Sequence, residues 1–244
     1  MEKVNINARN DEFGKEFEGK VKEYECTNIQ TGKGIDAVLL RVKGQKKRPM
    51  ITLIHGGPFS ASPYDMFLPL RNSLLLQGYH LLIVNYRGSV GYGENYLNEL
   101  LGHIGKKDVQ DCIDLTNTAS DVFEEFIDKE KLGVHGGSHG GFLTGHLIGS
   151  PASKDMWKAA VLWNAVLDMN YMVASTDIPD WILACTKNEE INFAKLTGED
   201  RLLFHERSPI SNVDNVKTPS MFLVGDADLR VPPHQSYYFY NALK

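Results

Sequence analysis

The residues with the clearest chemical potential are Gly136-Gly137-Ser138-His139-Gly140, which fit the pattern G-x-S-x-G. An apolar run, Leu132 to His135, precedes the serine, and an apolar stretch, Phe142 to Ile148, follows it. A strand, a sharp turn and a helix in that order lift a serine hydroxyl above a sheet and place it at a helix N-terminus, where it can act as a nucleophile. Glycine is needed on both sides because the turn brings backbones so close that a Cβ would clash. Such a serine attacks a carbonyl carbon, and negative charge then collects on the former carbonyl oxygen. Two preorganised backbone N–H groups can stabilise that oxygen by about 3 kcal/mol each. A second glycine-rich turn, His55-Gly56-Gly57-Pro58, follows another apolar run. Gly57 and His139, the residue after the serine, are therefore the expected oxyanion donors. His55 is expected to pin its loop through hydrogen bonds and not to transfer protons.

The chemistry also needs an acid and a base. In the order Ser…Asp…His the orienting carboxylate follows a late strand. Met221 to Val224 reads as that strand, and Asp226 and Asp228 both follow it; spacing alone allows either. The base should be a histidine in a loop after one further strand. His234 is the one histidine beyond Asp228, and Pro232-Pro233-His234-Gln235 reads as a helix start, with Ser236 to Leu243 as the helix. His234 is therefore expected to follow that helix and not to serve as the base. His139 is committed to the turn, and His80 and His135 lie in or beside strands. His103, His146 and His205 read as surface or packed residues. The expected site has a nucleophile, an acid and an oxyanion hole, and no catalytic histidine.

These groups need a scaffold. Val21 to Asn28 and Ile35 to Val42 alternate as two strands around the turn-prone Gln30-Thr31-Gly32-Lys33-Gly34. Short apolar runs at Met50 to Ile54, His80 to Val84, Lys131 to Val134, Ala159 to Trp163 and Met221 to Val224 suit strands buried on both faces. Helical stretches at Met66 to Leu76, Asp108 to Ile127 and Gly140 to Ile148 fall between them. The expected class is α/β, a mostly parallel sheet with helices on both faces. The glycine-rich turns all follow carboxyl ends of strands, the edge where open α/β sheets hold ligands.

Composition excludes several functions. The 244 residues are 42% hydrophobic and 23% charged, an ordinary soluble balance. Twenty-six Lys+Arg against 31 Asp+Glu leave a net charge of −5, which gives no global attraction to nucleic acid or anionic membrane. The basic cluster Lys43 to Arg48 reads as a solvated turn. The N-terminus is polar, and no apolar run reaches transmembrane length. Cys26, Cys112 and Cys185 are far apart and suit free thiols in a reducing compartment, so a cytoplasmic location is expected. No His/Cys/Asp cluster has ligand spacing, and Gly88-Ser89-Val90-Gly91-Tyr92-Gly93 does not fit a dinucleotide fingerprint; neither metal nor cofactor is expected.

Several blocks together resemble the prolyl oligopeptidase group of serine peptidases, and within it the catalytic domain of the acylaminoacyl peptidases. They are His55-Gly56-Gly57-Pro58, Asn85-Tyr86-Arg87-Gly88-Ser89-Val90-Gly91-Tyr92-Gly93, Gly136-Gly137-Ser138-His139-Gly140-Gly141-Phe142 and Asp228-Leu229-Arg230-Val231-Pro232. Ser175-Thr176-Asp177-Ile178-Pro179-Asp180-Trp181 adds the block that resembles the eukaryotic acylaminoacyl enzymes in particular. The resemblance runs from about Val21 to the last residue. It implies an α/β-hydrolase fold, Ser138 as nucleophile, and Asp228 rather than Asp226 as acid. It also implies short N-acylated peptides as substrates, release of the N-acylated amino acid, and a cytosolic, often homo-oligomeric, protein. The departures are a missing N-terminal β-propeller and a missing last strand, C-terminal helix and intervening histidine. Residues 1–20 then form a polar lead-in and 21–244 a C-terminally incomplete catalytic domain, with Met221 to Val224 as an exposed apolar edge. A carboxylesterase on the same fold and a non-catalytic scaffold are the alternatives. Phe59, Tyr92 and Trp181 are expected either to line the substrate pocket or to pack in the core.

Overall fold

A computed structural model describes residues 24–62, 68–188 and 196–244; the polar lead-in and Val21 lie outside them. The chain opens with a hairpin of β1 (Tyr24–Gln30) and β2 (Asp36–Val42), followed by β3 (Arg48–Ile54), α1 (Leu68–Leu76) and β4 (His80–Asn85). A short α2 (Glu94–Asn98) and α3 (Lys107–Val122) lead to β5 (Ile127–Gly137), the elbow and α4 (His139–Gly149). Then come β6 (Trp157–Trp163), three helices, α5 (Met169–Ser175), α6 (Asp180–Lys187) and α7 (Gly198–Glu206), and finally β7 (Ser220–Leu223) and α8 (His234–Ala242).

The seven strands form one sheet in the order β1-β2-β4-β3-β5-β6-β7. β1 and β2 are antiparallel additions to it, and β4, β3, β5, β6 and β7 run parallel. The expected helix over Asp108 to Ile127 is shorter in the structure: it ends at Val122, and Ile127 begins β5. The reason is tertiary. Arg48 N–H donates to Phe126 O at 2.8 Å, and Arg48 pairs with Ile127, so β3 draws this helix-prone segment into the sheet. The register shift between Arg48 and Met50 absorbs the residues that follow.

Side-chain alternation divides the core. Met50, Ile54, Leu82, Val84, Leu132, Val134, Ala160 and Leu162 meet α3, α4 and Phe239 of α8 on one face. Every residue of α4 is buried, so the helix behind the elbow is a rigid support. On the other face α1 packs Leu74 and Leu75 over Leu40, Val42, Leu81 and Ile83. Among the described residues that face is open beyond α1. An apolar groove of about 620 Å³ runs over Ile51, Gly133, Val161, Trp163 and Leu223. β7 is the edge strand among the described residues, with Met221 58% exposed.

Three buried histidines make the fold sensitive to acid. His80 accepts the Val42 N–H at Nδ1 (3.1 Å) and donates from Nε2 to Phe126 O (3.2 Å), which ties β2 and β4 to the turn before β5. His146 bonds Arg207 O at 2.9 Å. Burial lowers His55, His80 and His146 to about 4 each. In the unfolded chain these imidazoles take up protons near pH 6.5, whereas in the folded chain they stay neutral until about pH 4. Stability is therefore fully present above about pH 6.5 and falls as pH drops toward 4, by up to about 3 kcal/mol per imidazole. Urea midpoints between pH 7.5 and 4.5 should decline at constant m; a flat profile would show that these rings are accessible to protons in the folded state.

Candidate active site

The strand-to-helix turn at the end of β5 holds Ser138 at φ 55°, ψ −121°, a backbone that few non-glycine residues adopt. Its neighbours explain how the strain is maintained. A Cβ on Gly136 would lie 2.2 Å from Gly140 O, and a Cβ on Gly140 would lie 2.2 Å from Ile54 O. Only glycine lets the turn close this far. Ser138 N–H donates to Trp163 O (2.9 Å) and Phe142 N–H donates to Ser138 O (3.0 Å), which locks the elbow between β6 and α4. His139 is the first residue of α4, so its N–H has no acceptor one turn back within the helix and lies at the positive end of the dipole.

The turn after β3 lies directly against the elbow. A Cβ on Gly56 would sit 3.2 Å from Ser138 Cβ, and Gly57 has φ 130°. His55 is buried, with Nδ1 bonded to Gly56 O (2.6 Å) and Nε2 to Ser89 Oγ (2.8 Å). Gly56 C=O and Gly57 N–H share one peptide plane. Holding the oxygen on one side aims the N–H to the other, so His55 orients the candidate donor through the backbone. With its proton affinity lowered to about 4 by burial, His55 is neutral near pH 7 and a weak base.

The two candidate acids have different surroundings. Asp228 Oδ1 accepts the Arg230 and Val231 N–H groups, both at 2.9 Å, and Oδ2 accepts Asn164 Nδ2 at 2.5 Å. Asp226 accepts the Tyr237 hydroxyl at 2.9 Å instead. Asp228 lines one cavity of about 310 Å³ together with Ser138, His55, Asn164 and Trp163. Asp226 is not among the residues lining it. Ser138 also lines a second cavity of about 200 Å³ together with Gly57, His139 and Arg230, and Val166, Met172, Ile178 and Trp181 are apolar members of its wall.

The Ser175–Trp181 block forms the wall of that second cavity. Thr176 Oγ1 donates to Arg230 O (2.7 Å), Asp177 N–H donates to Leu229 O (3.3 Å), and the Arg230 guanidinium holds the Asp177 carboxylate at 2.5 and 3.1 Å. These contacts strap the block to the loop that carries Asp228 and fix Ile178 and Trp181 over the cavity. Of the three aromatic residues singled out in the sequence, Trp181 lines a cavity with Ser138. Phe59 and Tyr92 are exposed, and Tyr92 leans on Tyr96 at 4.9 Å.

All eight histidines lie in the described residues; His55 and His135 line the Asp228 cavity, and the side-chain hydrogen bonds of His55, His80, His103, His135, His139 and His146 go to partners other than Ser138 and Asp228. His139 pairs with Asp108, His135 bonds Val161 O, and His103 bonds Leu101 O. His205 is exposed on α7. His234 opens α8 with its ring against Tyr171 and Tyr237. The helix start is fixed by Gln235, whose Oε1 accepts the Leu167 and Asp168 N–H groups at 2.8 Å. Sequence reasoning missed Asn164, which bridges the elbow side to Asp228. An asparagine directly at the end of an apolar run was the available signal; in the structure it sits at φ 40°.

A family model described as the prolyl oligopeptidase family matches residues 68–244. The chain belongs to the prolyl oligopeptidase family. It is 43% identical over 197 residues to the acylamino-acid-releasing enzyme of Arabidopsis thaliana, covering 80% of this chain and 25% of that one. It is 35% identical over 227 residues to the acylamino-acid-releasing enzyme of Homo sapiens, covering 90% of this chain and 30% of that one. The Pyrococcus horikoshii acylaminoacyl peptidase superposes with a TM-score of 0.78 at 26% identity, over 96% of this chain and 37% of that one. An acylaminoacyl peptidase in complex with Z-Gly-Gly-Phe-chloromethyl ketone superposes with a TM-score of 0.75 at 27% identity, over 91% and 35%. This prolyl oligopeptidase family member thus has the α/β-hydrolase fold and spans about a quarter to a third of the length of the curated relatives it matches.

Proposed function

We propose that this chain carries the acyl-transfer machinery of an acylaminoacyl peptidase: Ser138 as nucleophile, Asp228 as acid, and Gly57 and His139 as oxyanion donors. The observation that carries this reading is the placement of Ser138, strained at positive φ, between the Asp228 cavity and a second cavity that Gly57 and His139 help to line. In the reaction, Ser138 Oγ forms a bond to the carbonyl carbon of an N-acylated residue while a base takes its proton. The carbonyl electron pair moves onto oxygen, toward the two N–H groups. The C–N bond then breaks, and the departing amine takes the proton. Water attacks the acyl-enzyme, releases the N-acylated amino acid and restores the serine proton. The base is an imidazole that none of the chain's eight histidines supplies through the contacts described, so the chain by itself turns over slowly.

The second cavity, with Val166, Met172, Ile178 and Trp181 in its wall, takes the side chain of the acylated residue. A solved acylaminoacyl peptidase holding Z-Gly-Gly-Phe-chloromethyl ketone, a blocked peptide ending in an apolar residue, supports this. Short N-acylated peptides are the proposed substrates. Self-association along the open apolar edge at β7 is proposed as the route to a homo-oligomer. A cytoplasmic location fits three free cysteines, and no described helix is long and apolar enough to cross a membrane.

The test compares N-acetyl-alanyl nitroanilide, its free-amine counterpart and a short-chain nitrophenyl ester, all in imidazole buffer. The acetylated amide should be cleaved at least about tenfold faster than the free amine. Cleavage of the ester alone would support the carboxylesterase reading, and no cleavage by folded protein would support the scaffold reading. With an acetyl-phenylalanyl substrate, Trp181→Ala should raise KM roughly tenfold and leave kcat nearly unchanged, because it removes pocket area and no transition-state contact. An equal fall in kcat would place Trp181 in the chemical step.

A further inference from the structure

Two donors on different strands can stabilise one oxygen only if their separation is fixed. Gly57 follows β3, and His139 follows β5, the neighbouring strand. We propose that Tyr86 is a positioning residue that sets the spacing of these two donors; this rests on the oxyanion reading given above. Tyr86 follows β4, on the far side of β3 from β5, and is fully buried. Its ring crosses the end of β3 and touches both loops. On one side it stacks on His55, with centroids 4.4 Å apart and planes at 18°. On the other it meets His139 at 5.5 Å and 42°. The Tyr86 hydroxyl donates to His55 O at 3.0 Å and lies 3.3 Å from His55 Nδ1, the atom that bonds Gly56 O. Tyr86 therefore grips the residue that orients the Gly56–Gly57 peptide.

The far side of His139 is braced as well. Its Nε2 lies 3.1 Å from Asp108 Oδ2, and the other Asp108 oxygen accepts the Val109 N–H at 3.0 Å. His139 and Asp108 are both buried, and Phe142 stacks on the imidazole at 5.0 Å. His139 cannot move away from Tyr86 without breaking that pair. The row Ser89, His55, Tyr86, His139, Asp108 thus links the turn after β4 to α3 and passes through both oxyanion loops. The sheet alone does not impose this spacing, because each loop leaves its strand before the donor N–H. A buried row of rings at van der Waals contact resists both compression and separation. A displacement of about 1 Å at such a donor can cost roughly a hundredfold in rate.

Phosphonylation of Ser138 by an alkyl fluorophosphonate in imidazole buffer tests this. Ser138 Oγ forms a bond to phosphorus, the P–F bond breaks, fluoride leaves and imidazole takes the proton. The phosphoryl oxygen of the adduct then occupies the position between the two donors, and its hydrogen bonds set the ³¹P shift of the native adduct apart from that of the denatured adduct. Tyr86→Leu should lower the maximal labelling rate roughly 10- to 100-fold with little change in the half-saturating reagent concentration, and should move the native ³¹P shift toward the denatured value. Tyr86→Phe keeps the ring contacts and should restore most of both. A folded Tyr86→Leu with unchanged rate and shift overturns the proposal alone. Absence of labelling in the unmutated chain overturns the nucleophile reading and this proposal with it. Should Tyr86→Leu not fold, Tyr86→Phe decides by the shift: a small move toward the denatured value is expected, and no move overturns the proposal.

Discussion

Hydrolysis of N-acetyl-alanyl nitroanilide by this chain should rise in proportion to added imidazole base, and Ser138→Ala should abolish the rise. Removing the histidine of a serine triad costs about 10⁶ in turnover and leaves roughly 10³–10⁴ over water from the oxyanion hole and binding. The chain's own histidines are engaged with other partners: His55 and His135 line the same cavity but bond Gly56 O, Ser89 and Val161 O, His139 pairs with Asp108, His146 bonds Arg207 O, and His234 lies on α8 beside Tyr171 and Tyr237. The proposed acid is already held in place. Asp228 is fixed by two backbone N–H groups and Asn164, and the 310 Å³ cavity between it and Ser138 can admit a small ring. Free imidazole lacks the positional advantage of a tethered base, so recovery is partial. The rescued rate should climb with pH through about 6.5–7, as the ring becomes neutral, and Asp228→Asn should lower it. Equal imidazole-dependent rates for the chain and Ser138→Ala would show that the buffer, not Ser138, attacks the substrate.

The second large effect concerns stability. Gly140→Ala should cost more than about 3 kcal/mol in urea unfolding. The added Cβ would stand 2.2 Å from Ile54 O and 2.8 Å from His55 O, and both are backbone atoms at the end of a central strand. Neither can yield without shifting β3 and the His55–Gly57 turn. Even a folded fraction should therefore label more slowly at Ser138. Gly198→Ala is the control. It lies in the first turn of α7 with nothing within 4 Å of the added Cβ, and alanine should be neutral or stabilising by up to about 1 kcal/mol. A Gly140→Ala loss below 1 kcal/mol would mean that the elbow and the β3 turn pack more loosely than described.

Much of the scaffold was legible. The five apolar runs all became parallel strands, and the chain turns that follow β3, β5 and β7 converge on one edge. The helices α5 and α7 were missed although their caps were in plain view: Asp168 accepts the Asn170 and Tyr171 N–H groups, and Thr197 forms a capping box with Asp200. The run from Val122 to Ile127 misled because its residues favour helix locally, while β3 offered hydrogen bonds that a local reading does not contain.

The site divides in the same way. The sequence by itself determined the elbow and the glycine turn beside it. A strand, a glycine-flanked serine and an apolar helix constrain one another over a few residues, where covalent geometry leaves few options. Spacing left Asp226 and Asp228 both open, and the family resemblance implied Asp228; what tertiary structure adds is the cavity it shares with Ser138 and its contact with Asn164, 64 positions away. Tertiary structure also decided that Tyr86 stands between His55 and His139, 31 and 53 positions away. Spacing along the chain limits which residues are adjacent in a turn, but hydrogen bonds and ring contacts select partners by distance in space, and that distance exists only once the sheet has assembled.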